Sequence, residues 1–459
     1  MTMTTMHRTL FAPHALLPTG WARDVLLTWN DAGTLTQVTP HATPPAGAAT
    51  ANGPLVPGLP NLHSHAFQRA FAGLSEYRGS ADDSFWTWRD LMYRFALAIS
   101  PDQLEDIATH LYIEMLQAGY TAVCEFHYLH RDPAGHAYVD PAEMSMRLVK
   151  AAQHAGIGLT LLPVLYQHGG FGGQPARADQ RRFVSNHVDG LLEIVAKVRS
   201  TGTRVGVAPH SLRAVGPPAL RELLAGVDAT TPIHIHIAEQ QQEVHDCMAW
   251  SGQRPVQWLL ANAAVDARWC LVHATHITPE ERNALSAAGA VAGLCPSTEA
   301  NLGDGVFDAA AYLAADGVWG IGSDSHASVG AAEELRLLEY TQRLAQQRRN
   351  VLANPAHPQV ADHLWLGAVH GGARASGRTI AGLVPGQQAD FVVLDTRGPL
   401  ARLTPEQVLA NHVFTNHGRN HVRDVWVAGR LHMRDGEHVL GSVACERFIG
   451  ARSALIGTT

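Results

Sequence analysis

Short apolar runs rich in valine, isoleucine and leucine recur through the middle of the chain, separated by longer stretches whose apolar residues return every three or four positions. The first pattern is that of strands buried on both faces, the second that of amphipathic helices. The runs are "GPLVPGL", "TAVCEF", "IGLTLLPVL", "TRVGVAP", "TPIHIHIA", "RWCLVHA", "AVAGLC" and "VWGIGS". Between them lie segments such as "SPDQLEDIATHLYIEMLQAG" and "AEMSMRLVKAAQHAG", each closing near a glycine. Strand and helix alternating through eight such runs predict an α/β fold, a (β/α)8 barrel of the TIM type. No GxGxxG motif follows the first strand, which removes the main support for a doubly wound dinucleotide-binding sheet.

The two ends of the chain read differently. From residue 7 to about 55, "RDVLLTW" is apolar, "NDAG" signals a turn and "TLTQVT" alternates with period two. Strand patterns return after about residue 380 in "GQQADFVVLDT" and "VRDVWVAGRLHMRDGEH". A small β-sandwich module formed by both chain ends is therefore expected. Residues 1–55 would be its first part, 56–380 the barrel, and 381–459 its second part with a C-terminal tail.

Composition narrows the function. With 459 residues, 46% of them apolar and 16% charged, the chain can bury a large core and has no disorder signature. The net charge is −7 and the only lysines are Lys150 and Lys197, so a nucleic-acid partner is not expected and an anionic ligand must be met by arginines placed locally. Five cysteines without a CxxC pair fit a reducing compartment, hence a cytoplasmic protein. The opening "MTMTTMHRTLFAPHALLPTGW" has no uninterrupted apolar core and no stretch of 18 apolar residues follows, so neither an export signal nor a membrane span is expected.

The chemistry of such a barrel sits at the C-terminal ends of its strands, and these ends are polar here. Strand one ends in His63 and His65, strand two in Glu125, His127 and Tyr128, and strand four in His210. Strand five ends in His234, His236 and Glu239, strand six in His273 and His276, and strand eight in Asp324 and His326. On an extended segment, an HxH pair puts both imidazoles on one face, where they can share a cation. His63, His65, one further histidine and Asp324 would suffice for a divalent metal, Zn²⁺ or alternatively Fe²⁺, that activates water near neutral pH.

The pieces "PGLPNLHSH", "IHIAEQ", "LVHATHI" and "GIGSDSH" resemble the amidohydrolase superfamily, metal-dependent hydrolases and deaminases built on this barrel. The resemblance implies metal ligands His63, His65, His236 and Asp324, and catalytic roles for Glu239, His273 and Asp324, with Glu239 as the proton-transfer carboxylate. Strand four offers His210 rather than the lysine that bridges two metals in many members, so one metal per chain is implied. The segments "HAFQRAFAGL", "DDSFWTWRDLMYRF", "CEFHYLH", "APHSLRAV" and "LCPSTEANLGDG" are similar to the branch that hydrolyses the formimidoyl group of a dicarboxylic amino acid in histidine degradation. That similarity implies a substrate pocket of Gln68, Arg89, Tyr128, His210 and Arg213, a small-molecule substrate with two carboxylates, and a homodimer. Arginine's planar fork suits carboxylates, which agrees with Arg89 and Arg213 in an acidic protein. The alternative is a mononuclear enzyme deaminating a nucleobase such as guanine or cytosine. Arg69 carries no assignment.

Overall fold

The computed structural model of the chain describes residues 8–76, 85–185, 187–416 and 418–458. Residues 1–7 of the opening segment and 82–84 of the tryptophan-rich segment lie outside the described residues, as does the side chain of Trp86.

Eight parallel strand positions form the barrel: β1 (Leu59–Ser64), β2 (Tyr120–His127), β3 (Gly158–Leu165), β4 in two pieces (Arg204–Val205 and Ala208–Pro209), β5 (Ile233–Ile237), β6 (Trp269–His273), β7 (Val291–Leu294) and β8 (Val318–Ile321). They pair in chain order from β1 to β4 and from β5 to β8. Bridges Val207–Ile233 and Ser211–His236 join the two blocks on one side, and Ser64–Asp324 closes the ring on the other. All eight residues of β2 and of β3 are buried, as expected of strands with side chains packed inside the ring and helices outside it.

The run "GPLVPGL" divides between two sheets. Leu55–Pro57 pairs antiparallel with Phe391–Leu394 in the end sheet, and the chain enters the barrel as β1 only after Gly58. A Cβ on Gly58 would stand 2.3 Å from the Thr121 side chain, so the crossing from one sheet to the other needs a residue with none.

Strands from both chain ends make one nine-stranded sheet. Trp29, in Gly20–Trp29, and Trp426, in Val422–Val427, are four strands apart along it, about 19 Å in a flat sheet at ordinary strand spacing. Their rings lie 5.7 Å apart, and both approach Phe391, so the sheet folds over on itself around an aromatic core. The final residues, expected as a tail, form the helix Gly441–Thr458. Its Phe448 stacks on His110 at 4.6 Å and its Arg452 donates to Ala72 O, which fixes the helix to the barrel wall beside β1. Among the described residues no helix is long and apolar enough to cross a membrane.

Candidate active site

The HxH segment leaves β1 extended, so His63 and His65 share a face while Ser64 turns to the other side. Ser64 Oγ donates to Glu125 Oε2 at 2.5 Å, and Glu125 Oε1 accepts from Ala66 N at 2.6 Å. Glu125 thus clamps the residues on both sides of His65, Ser64 by its hydroxyl and Ala66 by its backbone. Ser64 also contacts His326 Nε2 at 3.2 Å, and His326 Nδ1 lies 3.0 Å from Ser323 Oγ, which accepts from Asn61. This buried network binds β1, β2 and the end of β8 into one rigid floor.

His63 Nε2 stands 3.1 Å from His65 Nε2, 3.0 Å from His236 Nε2 and 3.4 Å from Asp324 Oδ1. One donor atom from each of these four buried residues lies within 4.8 Å of the others. His65 Nδ1 donates to Phe126 O and His236 Nδ1 donates to His210 O, so the Nε2 of both neutral rings carries its lone pair towards the centre. His63 Nε2 can offer a proton to only one of them. At least one close nitrogen pair would therefore face lone pair to lone pair, an arrangement that a cation relieves. The separations are those of donors around a tetrahedral zinc, about 3.3 Å for bonds of about 2.0 Å.

Electrostatics prepares the same group. Burial lowers His63 to about 3 and lowers His65 and His236 as well, which leaves three neutral imidazoles. Burial alone would raise Asp324, but its hydrogen bond to His63 and the imidazoles of His63, His65 and His273 hold it below the ordinary carboxylate range. Asp324 is also fixed through its backbone, accepting from His65 N and donating to His63 O, with φ at +45°. Gly322 allows this approach, because a Cβ there would stand 2.8 Å from His63. His273 takes φ +69°, a second non-glycine left-handed residue beside the cluster; such strain costs about 1–3 kcal/mol and collects at functional sites.

His273 Nε2 lies 3.8 Å from Glu239 Oε1 and 3.7 Å from Asp324 Oδ2, while its Nδ1 donates to Glu299 Oε1 at 3.3 Å. Burial would lower its pKa, yet Glu239, Glu299 and Asp324 together raise it to about 10. Glu239 is itself raised by burial, against the pull of His273 and of Arg213, whose Nη2 is 3.9 Å away.

A cavity opens over this group. Gln68, Arg89, Tyr128, His210 and Arg213 all line it together with His65, His236, Glu239, His273 and Asp324. Gln68 Nε2 donates to Tyr128 Oη at 3.1 Å, and its buried Oε1 has no hydrogen-bond partner among the described residues. Arg89 lies on the helix Phe85–Ala98. Trp88, Met92 and Tyr93 reach the cavity from the same helix, at one- and four-residue spacings.

Other strand-end residues are spent elsewhere. His234 bonds Ala375 O, His276 bonds Asp304 O, and His127 packs edge-on against His130. Arg69 forms a two-point ion pair with Glu114 and donates to His326 O, bracing the turn after the HxH pair from outside the cavity. Tyr93, Tyr166, Phe183 and Glu299 are pocket or support residues that sequence reasoning missed. Glu299 stands within "LCPSTEANLGDG", where its type and position were visible but its partner His273 was not.

Comparison with known proteins decides the family. Residues 55–432 match the amidohydrolase family. The chain belongs to the amidohydrolase family. It is 52% identical over 451 residues to a formimidoylglutamate deiminase of Pseudomonas aeruginosa, covering 97% of this chain and 99% of that protein. An amidohydrolase from Brucella melitensis, known from its crystal structure, is 46% identical and superposes with a TM-score of 0.93, covering 98% of this chain and 100% of that one. An adenosine deaminase from Xanthomonas campestris, 21% identical, shares the fold with a TM-score of 0.80 over 98% of each chain. The barrel and end module are thus an amidohydrolase architecture, and the family's dependence on metal matches the His63, His65, His236 and Asp324 group.

Proposed function

We propose that this amidohydrolase hydrolyses N-formimidoyl-L-glutamate to N-formyl-L-glutamate and ammonia, using one divalent metal, Zn²⁺, at His63, His65, His236 and Asp324. The observation that carries the reading is one cavity lined by Arg89 and Arg213 together with His65, His236 and Asp324, in a chain 52% identical along almost its whole length to a formimidoylglutamate deiminase. Two arginines suit two carboxylates. A nucleobase has no anionic group for them to meet.

When bound, the cation supplies Lewis acidity and makes water a nucleophile near neutral pH. The remaining work belongs to the protein. Arg89 and Arg213 hold the carboxylates and so fix the formimidoyl carbon over the group, and Gln68 Oε1 accepts from a formimidoyl N–H. Asp324 takes the proton released as water attacks that carbon. His273, aimed by Glu299, holds the attacking oxygen in place against that carbon. Glu239 delivers a proton to the imino nitrogen, the proton held on Asp324 follows it, and the hydroxyl on the tetrahedral carbon gives its own proton back to Glu239 as the C–N bond breaks, so NH₃ leaves, the formyl amide is retained and both carboxyls end as they began.

Ammonia release from N-formimidoyl-L-glutamate, guanine and cytosine, with metal measured on the same sample, tests the reading. Activity on the formimidoyl substrate alone and about one metal per chain are expected; activity on a nucleobase instead would overturn it. Arg213→Ala should lower kcat/KM at least about tenfold, chiefly through KM, because a desolvated contact to a charged group is lost. Unchanged kinetics would remove Arg213 from the carboxylate site. Glu299→Gln should retain the metal and lower kcat about 10–100-fold, the usual effect of losing a partner that orients a working histidine. A normal kcat would show that His273 does not need Glu299.

A further inference from the structure

Behind the two arginines lies a hydrogen-bond arrangement built from three separate segments. Gln180, in the turn Ala178–Gln180, is 1% exposed, and its Nε2 donates to Tyr93 Oη at 2.9 Å and to Tyr166 Oη at 2.8 Å. The amide orientation is settled by its other end, because Oε1 accepts from Arg177 N at 2.8 Å. Both tyrosines line the cavity with Arg89 and Arg213.

Donor and acceptor accounting then restricts the phenols. Each Tyr oxygen accepts from Gln180, so each O–H must be donated in another direction. The two hydroxyls can spend at most one proton on each other, which leaves at least one O–H free to serve the cavity. Burial raises Tyr166 above the ordinary phenol range, so it keeps its proton. With Arg89 and Arg213 beside it, this part of the wall presents hydrogen-bond donors only.

We propose that Gln180 is a positioning residue that turns the Tyr93 and Tyr166 hydroxyls towards substrate, making a donor-only subsite that selects a carboxylate and rejects a carboxamide. The proposal rests on the dicarboxylate reading above. A carboxylate offers lone pairs to every donor of such a wall. A carboxamide brings an NH₂ that meets another donor and loses a hydrogen bond, and unpaired buried polar groups of this kind give strong discrimination.

The test compares N-formimidoyl-L-glutamate with its two mono-amides on the wild-type protein, Gln180→Met, Gln180→Glu, Tyr93→Phe and Tyr166→Phe, alongside glutarate and glutaramate binding by calorimetry. Wild type should prefer the diacid over one of the mono-amides by at least about 100-fold in kcat/KM. Gln180→Met should raise KM for the diacid about tenfold with little change in kcat, and should narrow that preference. Gln180→Glu, which draws the phenolic protons to itself and adds a negative charge, should do so more strongly. At least one of the two Tyr→Phe changes should reproduce the KM effect, which keeps the idea testable should the buried Gln180 variants fold poorly. Equal losses on diacid and amides, or losses confined to kcat, would make Gln180 merely structural and overturn the proposal. So would wild-type KM values in both Tyr→Phe proteins. Absence of ammonia release from all three substrates would overturn the functional reading instead; in that event, glutarate binding that weakens in the Tyr→Phe proteins still supports the donor-only subsite, and binding that does not weaken refutes it.

Discussion

Glutamine at position 239 is expected to reduce kcat by about a thousandfold, within the 10²–10⁴ range of a positioned general acid, while metal content stays at the wild-type level. Glu239 is buried, and that burial raises it, which favours the protonated form that an imino nitrogen needs. A glutamine fills nearly the same space and still meets Arg213, but it has no acidic proton to give. It also stands outside the four-residue group of His63, His65, His236 and Asp324, so removing its charge leaves the donor set unchanged. Steady-state kinetics and elemental analysis on one preparation separate the two effects. If more than about a tenth of wild-type kcat survives, proton delivery must be assigned elsewhere, with His273 the next group in reach at 3.8 Å from Glu239.

What the sequence disclosed follows from how local each signal is. His63 and His65 were readable because a period of two is a property of one strand, and Ser64 between them turns to the opposite side to meet Glu125. His236, His273 and Asp324 stood at the ends of apolar runs, where barrel geometry brings strand ends together. The boundary at Gly58 was not readable in the same way, because "GPLVPGL" is one apolar run to either sheet, and only contact with Thr121 shows where the chain changes partners. The roles of Glu299, Gln180 and Tyr166 were not readable for a related reason. Each acts through a residue between 14 and 87 positions away: Gln180 on Tyr166 and Tyr93, and Glu299 on His273. Arg69 is the converse case. Its place beside the HxH pair suggested chemistry, but the pairing with Glu114 makes it a brace.

Asparagine at position 324 should produce a comparable loss of kcat, about a thousandfold or more, but with a different accompanying signature. Asp324 has two tasks in the proposed mechanism, as the only anionic member of the donor group and as the acceptor of the proton released by attacking water. D324N keeps the backbone bonds to His63 and His65 and retains one carbonyl oxygen in roughly the original position. The substituted protein should therefore fold and still bind the cation, more weakly, because a neutral oxygen replaces a carboxylate. Adding metal until occupancy returns to one per chain separates the two tasks. Restored occupancy without restored turnover is the expected result, since an amide oxygen can ligate but has almost no basicity. If turnover recovers in step with occupancy, Asp324 is only a ligand, and the proton must go to a neighbouring base. Glu239, the other buried carboxylate beside that His273 nitrogen, would then have to carry both halves of the proton transfer.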